Sequence, residues 1–158
     1  MSKVVSLFSD TQKYEERPIV VLADDDPSIR LMVRNVLESE DFDIVEASDG
    51  LEAIKAVKKY HPALILLDAV MPGIDGFTTC QQIKEKGHTD IPVMMITGLD
   101  DDASVERAYE VGAIDFITKH IKWAVLKHRV KSVVAQVIAE RKVKLLAYRD
   151  TLTNLPNR

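Results

Sequence analysis

Five polar residues stand out by type and position. Asp24 and Asp25 follow the apolar run Ile19–Ala23, Asp68 follows Leu64–Leu67, Thr97 follows Val93–Ile96, and Lys119 comes just after Ile114–Ile117. Three carboxylates drawn to one place repel, and they partly neutralise unless something cationic resolves them. A hard divalent ion and a lysine would do that. Mg2+ prefers oxygen ligands in octahedral geometry, keeps several waters, and takes one or two carboxylates plus phosphate oxygens. Asp25 and Asp68 fit as direct ligands, with Asp24 acting directly or through water. An aspartate carboxylate is also a competent nucleophile that accepts a phosphoryl group as an acyl phosphate. The metal and Lys119 would then offset charge on the transferring oxygens, and the Thr97 hydroxyl could donate to the new phosphate.

The elements that must position these groups are legible as five short apolar runs alternating with helix-period segments: 19–23, 42–45, 64–67, 93–96 and 114–117. Runs apolar at consecutive positions fit strands covered on both faces, as in a parallel sheet with helices between the strands. The repeating order predicts an α/β, doubly wound five-stranded parallel sheet of flavodoxin-like order 2-1-3-4-5. In that order the first and third strands are neighbours where strand order reverses, so Asp24, Asp25 and Asp68 share the crevice at their carboxyl ends.

Asp26-Pro27 reads as a cap and first helical residue, followed by Ile29, Met32, Val33, Val36 and Leu37 on one face. Asp49-Gly50 reads as a turn. Leu51, Ile54 and Val57 suggest a second helix, and Phe77, Cys80 and Ile83 a third that closes near Gly87. Val105, Ala108 and Tyr109 suggest a fourth ending near Gly112, with Asp100 to Asp102 at its positive end. Beyond Gly112 no glycine or proline occurs before Pro156, and Leu126, Val130, Val133 and Val137 recur at three-four spacing. One helix from Ile121 to Arg149 would be roughly 40 Å long, more than a small sheet can cover. Val134, Ile138, Leu145, Tyr148 and Leu152 form a shifted stripe, which suits a short dimeric coiled coil with a change of register.

The chain has 158 residues, 46% hydrophobic and 29% charged, which fits one soluble α/β domain with an appendage. Net charge is -4, so no nucleic-acid-binding surface is expected. The lone Cys80 excludes an internal disulfide framework and reads as a buried thiol in a reducing cytoplasm. No segment is long and apolar enough for a signal peptide or a membrane span. His61, His88 and His128 are dispersed and lack zinc-ligand spacing, so they carry no metal role. Trp123 reads as a packing anchor.

Four stretches together resemble the response regulator receiver family. They are Val21-Leu22-Ala23-Asp24-Asp25-Asp26-Pro27, Leu66 through Gly76 with the core Leu67-Asp68-Ala69-Val70-Met71-Pro72-Gly73, Met95-Ile96-Thr97-Gly98, and Asp115-Phe116-Ile117-Thr118-Lys119. The resemblance implies that Asp68 is the phosphoacceptor and takes its phosphoryl group from a phosphohistidine of a histidine kinase. It implies that Asp24, Asp25, Asp68 and the Val70 carbonyl hold Mg2+, that Lys119 contacts the phosphate, and that Thr97 and Phe116 are a switch pair. The family usually has proline after the lysine, commonly in a cis bond. Here His120 stands there, and because a cis bond before histidine costs about 2.5–4 kcal/mol, trans is the default expectation.

The last stretch, Tyr148 to Arg158, resembles the start of a diguanylate cyclase (GGDEF) domain, with Asn154 where glycine is usual. The expected organisation is a tail over 1–17, a receiver over 18–130, a helical linker over 131–149 and the start of a truncated output domain over 150–158. The expected function is a phosphoacceptor whose C-terminal helix switches dimer geometry for a cyclic-di-GMP-related output. Its partners would be a sensor histidine kinase or phosphotransfer protein and a second copy, with neither nucleic acid nor membrane. Three other readings exist: a phosphorylation-independent pseudo-receiver, an aspartyl-phosphate phosphotransferase or phosphatase, and a DNA-binding output for the missing part, disfavoured by the terminal signature. The second is disfavoured because such enzymes want an acid two places after the nucleophile, where this chain has Val70. Apart from its own phosphorylation and slow hydrolysis of the acyl phosphate, no enzymatic turnover is expected.

Overall fold

The computed structural model describes residues 17–153, with side chains through residue 147. The N-terminal tail through residue 16, and residues 154–158 of the expected output-domain start, lie outside the described residues.

The apolar runs become five parallel strands: β1 Ile19–Ala23, β2 Asp43–Ala47, β3 Leu64–Leu67, β4 Val93–Thr97 and β5 Asp115–Thr118. Their order is β2-β1-β3-β4-β5. Between and after them run α1 Pro27–Glu38, α2 Gly50–Tyr60, α3 Gly76–Glu85, α4 Asp102–Glu110 and α5 Trp123–Thr153. The strand residues serve two cores in alternation, because successive side chains point to opposite faces. Val21, Ala23, Ile65, Leu67, Val93 and Met95 join Val57, Phe77, Cys80, Ile83 and Ala108 of α2, α3 and α4. Val20, Leu22, Leu64, Leu66, Met94 and Ile96 join Val33 and Leu37 of α1 with Leu126, Val130, Val134 and Val137 of α5. This sandwich is the flavodoxin-like order expected from the βα alternation.

Most helix starts are capped by aspartate side chains: Asp26 accepts from the Ser28 N–H at 2.9 Å, Asp75 from Thr78 at 2.7 Å, and Asp101 from Ser104 at 3.1 Å. Asp49-Gly50 is part of the same pattern rather than a free turn, for Asp49 caps α2 through the Glu52 N–H at 2.8 Å. Beyond α3 and α4, Gly87 and Gly112 take φ of 98° and 104°, the left-handed conformation that ends a helix cheaply only at glycine. Met32 departs from its expected inner face and is 46% exposed. The α1 stripe is centred on Val33 and Leu37, and Met32 falls about 100° behind Val33 on the helical wheel, outside it.

The helix α5 is longer than expected at its C-terminal end, reaching Thr153, and begins two residues later, at Trp123. Its first half packs on the sheet through Leu126, Val130, Val134 and Val137, while Val143, Leu145 and Leu146 farther along are 65%, 53% and 58% exposed. Trp123 packs against the same core, as an anchor at the helix start. Cys80 is fully buried, and loss of hydration pushes its thiol up to about 11. Among the described residues no helix is long and apolar enough to cross a membrane.

Candidate functional site

Asp24 and Asp68 sit one residue past β1 and β3, whose register pairs Ala23 with Leu67, so the sheet itself sets the two carboxylates side by side. Backbone continuity holds the pair: the Asp68 N–H donates to the Ala23 carbonyl at 2.9 Å, and the Asp24 N–H to that of Ala47 at 3.1 Å. Both side chains are buried, at 2% and 5% exposure, whereas Asp25 next door is exposed. Carboxylate oxygens of Asp24, Asp25 and Asp68 lie within 4.8 Å of one another. Hard oxygen donors at that spacing suit Mg2+.

Lys119, at the end of β5, reaches across the crevice. Its Nζ donates to Asp24 Oδ2 at 3.1 Å and to Asp68 Oδ2 at 3.0 Å. Burial pulls the ammonium pKa down, but the bonds to Asp68 and Asp24 outweigh it and the net shift is upward, so the lysine stays charged. Asp24 is pushed the other way for a carboxylate, upward, first by burial and then by the charge of Asp68, against the Asp26 N–H bond and Lys119. The remaining oxygens are also engaged: Asp24 Oδ1 accepts the Asp26 N–H at 2.9 Å and Asp68 Oδ1 the Val70 N–H at 3.2 Å.

Thr97 closes the carboxyl end of β4 and is fully buried; its Oγ1 accepts the Leu99 N–H at 3.2 Å, and its carbonyl accepts the Lys119 N–H at 2.8 Å. Phe116 lies within β5, half-buried against the core on the α2–α4 side. Val70, one turn of loop beyond Asp68, is 57% exposed. Thus Asp24, Asp25, Asp68 and Lys119 are brought into direct proximity. Thr97 is tied to the lysine through the backbone, and Phe116 stands on the neighbouring strand.

The Lys119–His120 peptide is cis, where the residue types alone predict trans. The residue-type expectation weighs only the intrinsic cost of a cis bond, and the tertiary contacts of Lys119 do not enter it. Arg30, not singled out from the sequence, donates through Nη1 to the Asp24 carbonyl at 2.6 Å and through Nε to Glu46 at 3.2 Å. It braces the strand end that carries the two aspartates. Gly76 is a second unflagged residue: a Cβ there would fall on the Asp68 carbonyl, so only glycine lets α3 start this close to the site.

Comparison with known proteins agrees with this geometry. The response regulator receiver domain family matches residues 20–131, and the chain belongs to that family. It is therefore the receiver domain of a two-component response regulator. It is 35% identical over 118 residues to "Probable transcriptional regulator ycf27" of Porphyridium aerugineum, covering 75% of this chain and 48% of that protein. It is 37% identical over 103 residues to "DNA-binding dual master transcriptional regulator RpaA" of Synechocystis sp., covering 65% of this chain and 43% of that one. Among solved structures, the Francisella response regulator 1452 receiver domain superposes with a TM-score of 0.72 at 26% identity, covering 76% of this chain and 98% of that one.

The chain spans about half the length of the curated relatives it matches. The name of the Synechocystis relative runs against the expectation that nucleic acid is absent from the partners. That expectation came from net charge, a whole-chain average that carries no information about the half of those proteins beyond the match.

Proposed function

We propose that Asp68 accepts a phosphoryl group from the phosphohistidine of a sensor histidine kinase or phosphotransfer protein, with Mg2+ as the cofactor. The observation that carries this reading is Lys119 bridging the buried carboxylates of Asp24 and Asp68. A carboxylate oxygen of Asp68 attacks phosphorus, the N–P bond breaks, and the departing imidazole takes up a proton, leaving an acyl phosphate. Asp24, Asp25, Asp68 and the Val70 carbonyl would hold the ion, which supplies positive charge to the phosphoryl oxygens. Lys119 moves its charge from the free carboxylate to the new phosphate. Thr97 then turns its hydroxyl toward that phosphate, and Phe116 follows inward as the other half of the switch. Turnover of external substrates is not part of this reading, because Val70 stands where a phosphatase would need an acid.

The test is intact-mass measurement after incubation with Mg2+ and acetyl phosphate, beside Asp68→Asn. A gain of one phosphoryl group, lost in the variant and on chelation, supports the reading. A folded chain that gains none is a phosphorylation-independent interaction module instead.

We further propose that α5 relays dimer geometry to an output region. The terminal residues favour a cyclic-di-GMP-related output, and the names of the relatives favour a DNA-binding one. Cyclic-dinucleotide synthesis by the longer protein would support the first; retention of promoter DNA without synthesis would support the second.

A further inference from the structure

At the opposite end of β1 from the aspartates, a cavity of about 380 Å3 opens between the foot of the sheet and the far half of α5. One wall comes from the globular part: Arg17, Pro18 and Ile19, where β1 begins, and Tyr60 and His61, where α2 ends. The other is Ile138, Arg141, Lys142 and Leu145, whose spacing of three and four puts them on one face of α5. The volume falls within the range of pockets that take small organic molecules, about 300–1,000 Å3.

The charge on this lining is one-sided. The chain has 25 acidic and 21 basic residues, yet Arg17, Arg141 and Lys142 line the cavity and no carboxylate does. Arg17 is matched, since its Nε donates to Asp43 at 3.0 Å, and His61 lies 3.3 Å from Asp90. Arg141 has no such acid. Its Nη2 donates to the carbonyls of His61 at 3.4 Å and Pro62 at 2.9 Å, which orients the guanidinium without neutralising it. Its Nε and Nη1, and the Lys142 ammonium, have no protein partner among the described residues.

From this lining we infer that the cavity binds an amphipathic organic carboxylate, with its anion against Arg141 and Lys142 and its apolar body on Pro18, Ile19, Ile138 and Leu145. A guanidinium presents planar N–H donors that match the two oxygens of a carboxylate. Ordinary solvation accounts for Lys142 alone. It accounts less well for an arginine already oriented by two carbonyls beside apolar side chains, because such a group has little freedom left to lose when an anion arrives. Part of the lining belongs to α5 and part to the domain, so the bound molecule joins the two. The site is separate from the phosphoacceptor crevice and does not depend on the chemistry of Asp68.

NMR titration of the full chain with 4-phenylbutyrate, and in parallel with its uncharged amide, tests the site. The acid should bind with a dissociation constant of about 0.1–2 mM, as suits a ligand of about twelve non-hydrogen atoms, and should shift the methyl resonances of Ile138 and Leu145. The amide should bind more weakly by about threefold or more. Lys142→Gln should weaken the acid by about threefold or more and leave the amide unchanged. Lys144→Gln removes the same charge from the same helix outside the cavity and should change neither. Leu145→Ser should weaken both. Equal affinity for acid and amide, equal losses in Lys142→Gln and Lys144→Gln, or no shift of those methyls up to about 5 mM would overturn the assignment.

Discussion

Take away Lys119 and two buried carboxylates face each other with no counter-charge. Lys119→Ala should destabilise the metal-free protein by about 1–3 kcal/mol in urea unfolding and slow phosphorylation by about 100-fold or more, read by intact mass against time. Asp24 works in the opposite sense. Its pKa is raised above the ordinary 3.8, first by burial, so its contribution to stability is full below about pH 4 and is lost as pH rises through the folded value. Asp24→Asn should therefore match the parent below that pH and exceed it in stability at pH 7 without metal, and its stabilisation by Mg2+ should be smaller. A variant less stable at pH 7 than the parent would mean that the Lys119 bond outweighs burial. Asp24, Asp25, Asp68, Thr97 and Lys119 were legible as a set because each follows an apolar run and a parallel sheet gathers such ends. Arg30 was not, because its bond to the Asp24 carbonyl arises from how α1 docks on β2.

At the scale of elements, β1, β3 and β4 were visible because their residues are apolar on both faces, whereas β2 and β5 carry exposed Asp43, Glu46 and Thr118; the bounds of β1 and β3 match their apolar runs, and those of β2, β4 and β5 moved by a residue or two. Phe42 shows why: it is buried at 6% exposure yet precedes β2, and hydrophobicity alone does not separate a strand from the residue leading into it. The α1 face was over-read at Met32 because an apolar residue at the edge of a stripe carries the same letter as one at its centre. The start of α3 is governed by contact rather than pattern. Gly76→Ala should cost about 1–3 kcal/mol by forcing its methyl into the Asp68 carbonyl, and it should also lower phosphorylation, since the displaced backbone carries Asp68. Along α5, burial divides the helix. Leu126→Ala should cost about 2–5 kcal/mol, whereas Val143→Ala, at 65% exposure, should change stability by less than about 0.5 kcal/mol. Both are read from denaturant midpoints.

For the whole molecule, the stripe that the sequence offered as a possible dimer seam is partly spent on the domain itself, since Leu126, Val130, Val134 and Val137 lie in its core. Among the described residues in the far part of α5, Val143, Leu145 and Leu146 are left exposed for a second copy. The double substitution Leu145→Lys with Leu146→Lys should abolish concentration-dependent association in sedimentation while leaving phosphorylation intact. Association unchanged by both lysines would move the interface onto the globular part.

The Arg141 guanidinium donates to the Pro62 carbonyl at 2.9 Å and so pins α5 at a point between its two ends. Mechanically that bond adds to a clamp, since the stretch from Leu126 to Val137 is already held in the core. The stretch from Trp123 to Arg141 is about 27 Å long, and the stretch onward to Thr153 about 18 Å, at 1.5 Å per residue. A stiff rod held along its first stretch carries any tilt of the domain to its far end, as a cantilever does. Cutting the bond with Arg141→Ala would move the root of the cantilever back toward Val137 and lengthen its free arm.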